Sequence, residues 1–564
     1  MQHGLAGTMT LNGDVPGRTA GSNVNSQLKN RGIGFQTVVF IGESQAGSLC
    51  HDGFQQAVNR SRLREWLMVW VAAFLLCDTA SPAVVAAEGM MAGVAKVDIT
   101  NVDAGPVNDR LHARALVVKS DAVTAVLVSV DAVAIGGIGH IKNDYLGRVR
   151  TQIERELGIK PSNVLVNASH CHGVVCADVD QRTIQAVKLA HQNMVPVRVG
   201  AGTGHEDRIM ENRRLKLKSG KEVDVRHAYS MPPDDDVAEV GPVDPQIGIL
   251  RLDRADGHPL AVVYNFACHP IQGVPSGGNT ADITGFASQV IEDNMGEGTV
   301  ALFVQGCGGD INPIGYKGVD TPRDAEPLGN QLGLSTLKGL RKIRCRDDKR
   351  LTVINELLTL PRADLAERIA ELEGEVIRLP QTLKGTSLNL KTFLPLVVKY
   401  NLSAEFPSYY SHRYLREQKL GREDFSKLDA DNRRNIRNYI ENIHTMEQLT
   451  RTQTNLALLR KHQAENIASG KRTIDVEVAG LRIGDFVLIT FPGELTVQIG
   501  LNIKAKSPHE RTFVAGYTNG YIYYAPTAEQ LRNVGGAQED SDCILGPEWQ
   551  ALFETRAEEI LKRL

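Results

Sequence analysis

Cysteine is scarce, with eight thiols in 564 residues, too few for a disulfide-built scaffold in a chain of this size. No long run of Lys or Arg concentrates a basic face, and the formal charge is only -3, so the electrostatic footprint of a nucleic-acid partner is missing. The apolar run Leu67–Leu76 falls well short of the roughly 20 residues that a membrane-spanning helix needs. What the sequence does have is the balance of a globular protein, 42% hydrophobic and 23% charged. Its length allows two or more ordinary domains or one elaborated catalytic domain.

Residues 58–87 have the order of a secretory signal peptide. Basic NRSRLREWL is followed by apolar LMVWVAAFLL and then by CDTASPAVVAA, with Val85 and Ala87 as small residues at the cleavage offsets. The expected address is therefore periplasmic, extracellular or surface-associated. Cys77 stands where a lipidated cysteine would, but FLLC lacks the small residues such a site prefers. Residues 1–57, rich in Gly, Ser, Asn and Gln, are expected to be a disordered or mis-started extension outside the fold.

From residue 90 strands alternate with helices. Strands are expected at 113–118, 125–130, NVLVNAS, 247–252, 261–266 and 300–304, with helices at 144–157, 183–193 and near 285–293. That alternation predicts an α/β fold, with a mixed, largely parallel sheet as its core. The first part of the catalytic domain is placed at 90–360 and the second at 471–564. Between them, 361–470 is a mostly helical insertion. Leu365, Ile369, Leu372 and Val376 recur at spacings of three and four, a second polar helical stretch covers 428–467, and the aromatic segment Pro395–Tyr410 is irregular.

Four expected strands run directly into residues able to hold a metal. NVLVNAS leads to His170-Cys171-His172, LAVVYNFAC to His269, FVLITFPG to Glu494, and FVAG to the tyrosines 517, 521, 523 and 524. A fifth, VALFVQ, ends in the glycine-rich CGGDINP. The carboxyl ends of parallel strands form the ligand crevice of open α/β sheets, so side chains 99 and 225 residues apart in sequence can meet. Imidazole and carboxylate are zinc ligands, and a catalytic zinc keeps one position for water. The pair His170 and His172 allows one imidazole on the metal and one facing the substrate. HCH also admits a cysteine ligand, but Cys171 points away from its neighbours if the strand continues and is left out of the set. CGGDINP is not a phosphate loop, because the Lys-Ser/Thr is missing.

Taken in order, AGVAKVDIT, NASHCHG, ENRRLKL, GPVDPQIGILRLD, NFACHP, TADITGFA, FVQGCGGDINP, FPGELT and GYTNGYIYYAPT resemble the neutral/alkaline non-lysosomal ceramidase family. The resemblance covers most of 91–345 and 472–564. It implies one Zn2+ per chain held by His170, His269, Glu494 and Tyr524, with Tyr521 as the alternative tyrosine. It further implies hydrolysis of an N-acyl lipid amide of the ceramide type, releasing fatty acid and sphingoid base by metal-activated water. The implied partners are a small-molecule or lipid N-acyl substrate and a transient contact with a membrane surface. In that scheme His172 moves the proton between water and leaving amine. Arg213 matches a family arginine near the substrate, or is an ordinary surface charge. Asp310 and Asn312 line the pocket or shape a tight turn.

Three departures separate this chain from the family pattern. Asn312 stands in place of a serine, so no serine nucleophile is expected. NVGGAQED lacks the downstream tyrosine that helps hold the oxyanion, with Ala537 near its place. The sequence also ends with the catalytic region, without an immunoglobulin-like C-terminal domain. The missing serine and tyrosine leave two further readings: a zinc hydrolase of another amide or ester, and, from the missing tyrosine, a binding protein without turnover.

Overall fold

The computed structural model describes residues 89–225, 232–274, 278–316, 323–403, 411–532 and 536–564. The expected extension 1–57 and signal peptide 58–87 lie outside them. Among the described residues no helix is long and apolar enough to cross a membrane.

Eight strands form the larger sheet: β1 (Met91–Asp98), β2 (His112–Ser120), β3 (Val123–Val130), β4 (Val164–Ala168), β5 (Val195–His205), β6 (Gln246–Arg254), β7 (Pro259–Phe266) and β8 (Val300–Gln305), in the order β8-β7-β6-β5-β1-β2-β3-β4. A four-stranded sheet follows, β9 (Leu351–Pro361), β10 (Thr473–Ile483), β11 (Phe486–Thr490) and β12 (Thr512–Ala515), in chain order. The mixed α/β class holds, but the pairing is not largely parallel. Five of the seven ladders in the larger sheet are antiparallel. Two of the antiparallel pairs, β2–β3 and β6–β7, follow from short links, since antiparallel neighbours need only a tight turn whereas parallel ones need a crossover. Asp121, at φ 48°, turns β2 into β3, and Gly484, at φ 60°, turns β10 into β11. Three connections join parallel neighbours through a packed helix: α1 (Tyr145–Leu157) between β3 and β4, α3 (Asp282–Met295) between β7 and β8, and α9 (Val497–Lys506) between β11 and β12. Those three give the parallel pairs.

Strand residues alternate between two apolar layers. Val126, Val128 and Val130 of β3 pack with Tyr145, Val149 and Ile153 of α1 and Ile184 and Val187 of α2 (Val179–Gln192). Ala125 and Leu127 pack inward with Leu250, Val263 and Leu302 of the same sheet and with Leu481, Phe486 and Phe513 of the smaller one. The outer face of β6–β8 is covered by α3 and α4 (Glu326–Leu340). The far face of the smaller sheet is covered by α9 and α10 (Trp549–Leu561).

β9 and β10 pair along their full length, down to Pro361 opposite Thr473. Beyond that pair the chain forms four helices: α5 (Ala366–Gln381), α6 (Leu390–Leu402), α7 (Ser411–Lys419) and α8 (Asp424–Ala468). Part of the segment expected to be irregular is thus helical. Asn389 starts α6 with a capping box, accepting from the backbone N–H groups of Lys391 and Thr392. The 45 residues of α8 rise about 1.5 Å each. Its Leu456 and Leu459 pack with Leu365 and Leu372.

Candidate metal centre

Two buried asparagines tie strand ends together. Asn167 on β4 donates to Gly516 O (2.8 Å) and Thr518 Oγ1 (2.9 Å) and accepts from the Gln305 backbone N–H (2.9 Å). Asn265 on β7 donates to Val304 O (3.0 Å) and Val514 O (3.2 Å). The carboxyl ends of β4, β7, β8 and β12 therefore meet, although the sheet as a whole is not parallel.

At that meeting point stand His170, His269 and Glu494, all buried, with one ligand atom from each within 4.8 Å of the others. Glu494 Oε2 lies 3.4 Å from His170 Nε2 and 3.2 Å from His269 Nε2. The imidazole Nδ1 atoms face carbonyl oxygens, that of Val133 at 2.6 Å and that of Ile311 at 3.1 Å. A carbonyl only accepts, so each Nδ1 carries the proton and each Nε2 is directed at the carboxylate. Burial, followed by the Arg213 charge, pushes His269 down to about 3, so this imidazole is neutral at pH 7. A bare Nε2 lone pair facing a carboxylate oxygen is repulsive unless a cation lies between them. The donor set fits a divalent metal, and its outer hydrogen bonds are those that orient metal-bound imidazoles. His170 sits at φ 68° and Tyr517 at φ 53°, backbone positions that non-glycine residues seldom occupy and that cluster at functional sites.

Four further residues surround the triad. Tyr517 packs on His170 at 4.2 Å between ring centroids and donates to Glu494 Oε2 (3.2 Å). Tyr521 donates to Glu494 Oε1 (2.5 Å). Burial first, then the Glu494 charge, pushes both phenols well above their ordinary value, so they remain donors. Tyr524 pairs with Glu494 in a short parallel bridge, and its oxygen accepts from Arg213 Nη2 at 3.2 Å. Arg213 is no surface charge. It is buried, donates to Asn312 Oδ1 (3.0 Å) and to Gly309 O, and its Nε lies 2.6 Å from Glu539 Oε1.

The triad lines a cleft of about 340 Å³. His172, Arg213, Tyr521 and Tyr524 line it too, with Val133 and Ile138 from the loop after β3, Ile271 and Val274 from the loop after β7, and Leu458 and Lys461 from α8. His172 is exposed, its ring edge-on to His170 at 5.5 Å. Asp310 and Asn312 do not line this cleft. Asp310 accepts from the first backbone N–H of α9 (Val497, 2.8 Å) and from Asn212 Nδ2 (3.3 Å). It borders a separate polar cavity of about 190 Å³ with Arg214 and Gln498. Its charge at a helix N-terminus anchors the segment after Glu494. Cys171 points into the apolar core among Leu111, Val130 and Ala281. Tyr517, Asp542 and Lys461 were not singled out from sequence. Four tyrosines crowd GYTNGYIYY, and no spacing rule chooses among them.

No protein-family model matches the chain, and no curated protein matches it. Among solved structures it is similar to neutral ceramidase from Pseudomonas aeruginosa, with a TM-score of 0.52 and 16% identity over 84% of this chain and 75% of that one. It is also similar to a ceramidase complexed with C2, with a TM-score of 0.53 and 18% identity over the same shares. At such identities the likeness is one of fold: the chain has the fold of neutral ceramidase structures.

Proposed function

We propose that this chain is a zinc-dependent amidohydrolase that cleaves an N-acyl amine, of which a ceramide-like lipid is the leading candidate. The observation that carries this reading is the two imidazoles and one carboxylate, each buried and held by outer hydrogen bonds, on the floor of a cleft partly lined by aliphatic side chains. His170, His269 and Glu494 would hold the cation, with Tyr524 as the fourth ligand. When bound, the metal supplies Lewis acidity and a more acidic water near neutral pH.

The chain's own residues account for the rest. His172 faces the opening beside His170. From there it takes the proton of the attacking water and returns it to the amine nitrogen as the C–N bond breaks. Arg213 fixes the direction of the Tyr524 oxygen and is itself held by Asn312 and Glu539. Val133, Ile138, Ile271 and Val274 offer the acyl chain an apolar surface. The products are a carboxylic acid and a free amine.

A different scissile bond is the second reading, favoured by one observation. Ala537 is buried and offers no hydroxyl where the resemblance expects an oxyanion donor, a group worth about 3–4 kcal/mol in measured cases. The test is release of acid and amine by zinc-loaded protein across N-acyl amides and matched esters, with loss in His170→Ala. Ester hydrolysis as the best activity would select the second reading. Stoichiometric zinc with no hydrolysis of either panel would leave only a binding protein.

A further inference from the structure

Helix α8 brings Leu458 and Lys461 to the cleft, and behind them His462, which is fully buried. Both ring nitrogens of His462 are engaged. Nε2 lies 2.7 Å from Asp542 Oδ1 and Nδ1 3.3 Å from Glu465 Oε2, while the ring packs edge-on against Tyr523 at 4.4 Å. Asp542 lines the cleft with its side chain 13% exposed. Its backbone carbonyl accepts from the Tyr524 N–H at 3.0 Å, and its neighbour Cys543 bridges to Tyr523. The carboxylate is thus fixed twice, by the backbone beside the candidate ligand Tyr524 and by an imidazole on the inserted helix.

That backbone pairing would form with any side chain at position 542, so it does not explain a carboxylate there. A mostly buried carboxylate costs free energy unless hydrogen-bonded, and glutamate already serves the metal triad. Carboxylates accept and do not donate when ionised, so the group selects for donors on whatever enters. An acyl chain has none, and Val133, Ile138, Ile271 and Val274 suit it. The amine half is where a substrate can carry hydroxyl or ammonium groups.

We propose that Asp542 is the specificity-determining residue for the amine side of the substrate, binding its hydroxyl or ammonium donors, and that His462 positions it. Lys461, whose ammonium lies 4.5 Å from the Tyr523 ring centroid, stands next to it on the same helix and can donate to the same hydroxyls. The helical insertion thereby sets selectivity at a metal site that it does not build. This assignment rests on the amidohydrolase reading.

The test uses the full zinc-loaded chain and two amides with the same acyl chain, one on a hydroxylated amine and one on a plain alkyl amine of equal length. A charge-assisted hydrogen bond corresponds to roughly tenfold or more in affinity. The kcat/KM ratio of hydroxylated to plain substrate should therefore fall at least tenfold in Asp542→Asn. It should fall less in Asp542→Glu, and in His462→Gln it should fall chiefly through KM. An unchanged ratio in Asp542→Asn overturns the proposal; should that variant not fold, an unchanged ratio in His462→Gln does so. If the wild type turns over neither amide, titration with the two free amines decides. A wild-type preference of tenfold or more for the hydroxylated amine, lost in Asp542→Asn, upholds the subsite although the amidohydrolase reading has failed. Equal binding of both amines overturns it.

Discussion

His170 and His172 are two residues apart, yet the first is buried with its Nδ1 on a carbonyl and the second is exposed in the cleft. Their variants should differ accordingly. His172→Ala should keep wild-type metal content and lose about 10²–10⁴-fold in kcat, the usual worth of a positioned acid–base group; metal analysis beside steady-state kinetics checks both halves. Arg213→Gln removes the nearer of two guanidinium groups beside the fully buried Glu539, leaving Arg214 Nη2 at 3.8 Å. Breaking a buried pair costs about 3–5 kcal/mol, a loss that denaturant unfolding would register. The imidazoles and Glu494 were legible because each follows directly on an apolar strand. Arg213 was only half legible, since NRR reads equally as surface, and its burial depends on Glu539 and Asn312, far away in sequence. Tyr517 and Asp542 were not legible, because their positions come from contacts with His170 and His462 that no local pattern announces.

Elements explain why the distant candidate ligands meet. Two of the three helical crossovers, α1 and α3, were readable from periodicity, whereas α9 between β11 and β12 was not; each leads into a parallel strand that ends near the site. The two antiparallel pairs that β5 makes, with β1 and with β6, were not readable, because β5 did not register as a strand. Its Gly200 and Gly202 weaken the apolar alternation, yet both are required: a Cβ at Gly200 would stand 2.6 Å from Ile343 Cγ2, and one at Gly202 2.7 Å from Ile343 Cγ1. The turn after β8 makes a related demand. A Cβ at Gly309 would lie 2.6 Å from Glu494 O and 2.8 Å from Leu495 O. Gly309→Ala should therefore cost about 1–3 kcal/mol in unfolding free energy, the range for overpacking. It should also weaken metal affinity about 10–100-fold, as loss of an outer support does. Unfolding curves and competition with a chromophoric chelator measure the two effects.

At the scale of the whole molecule, acidic groups near the start of α3 make stability depend on pH. Asp109 accepts from Thr280 Oγ1 and from the Ala281 backbone N–H. Burial first, then the charges of Asp131 and Asp282, raises it to about 7. A carboxyl with a raised folded value binds more protons folded than unfolded. Its contribution is therefore full below about pH 4, the unfolded value, and is lost as pH rises through 7. Denaturant melts from pH 4 to 8 should show this slope, and Asp109→Asn should flatten it. The central claim concerns one cation held by residues from three parallel units. Its most direct test is zinc analysis of tag-free protein after zinc loading and exhaustive dialysis, on the wild type and on His170→Ala, His269→Ala and Glu494→Gln. One zinc per wild-type chain and a large loss in all three folded variants is the predicted result. A zinc-free wild type, or folded variants that keep its stoichiometry, would contradict it.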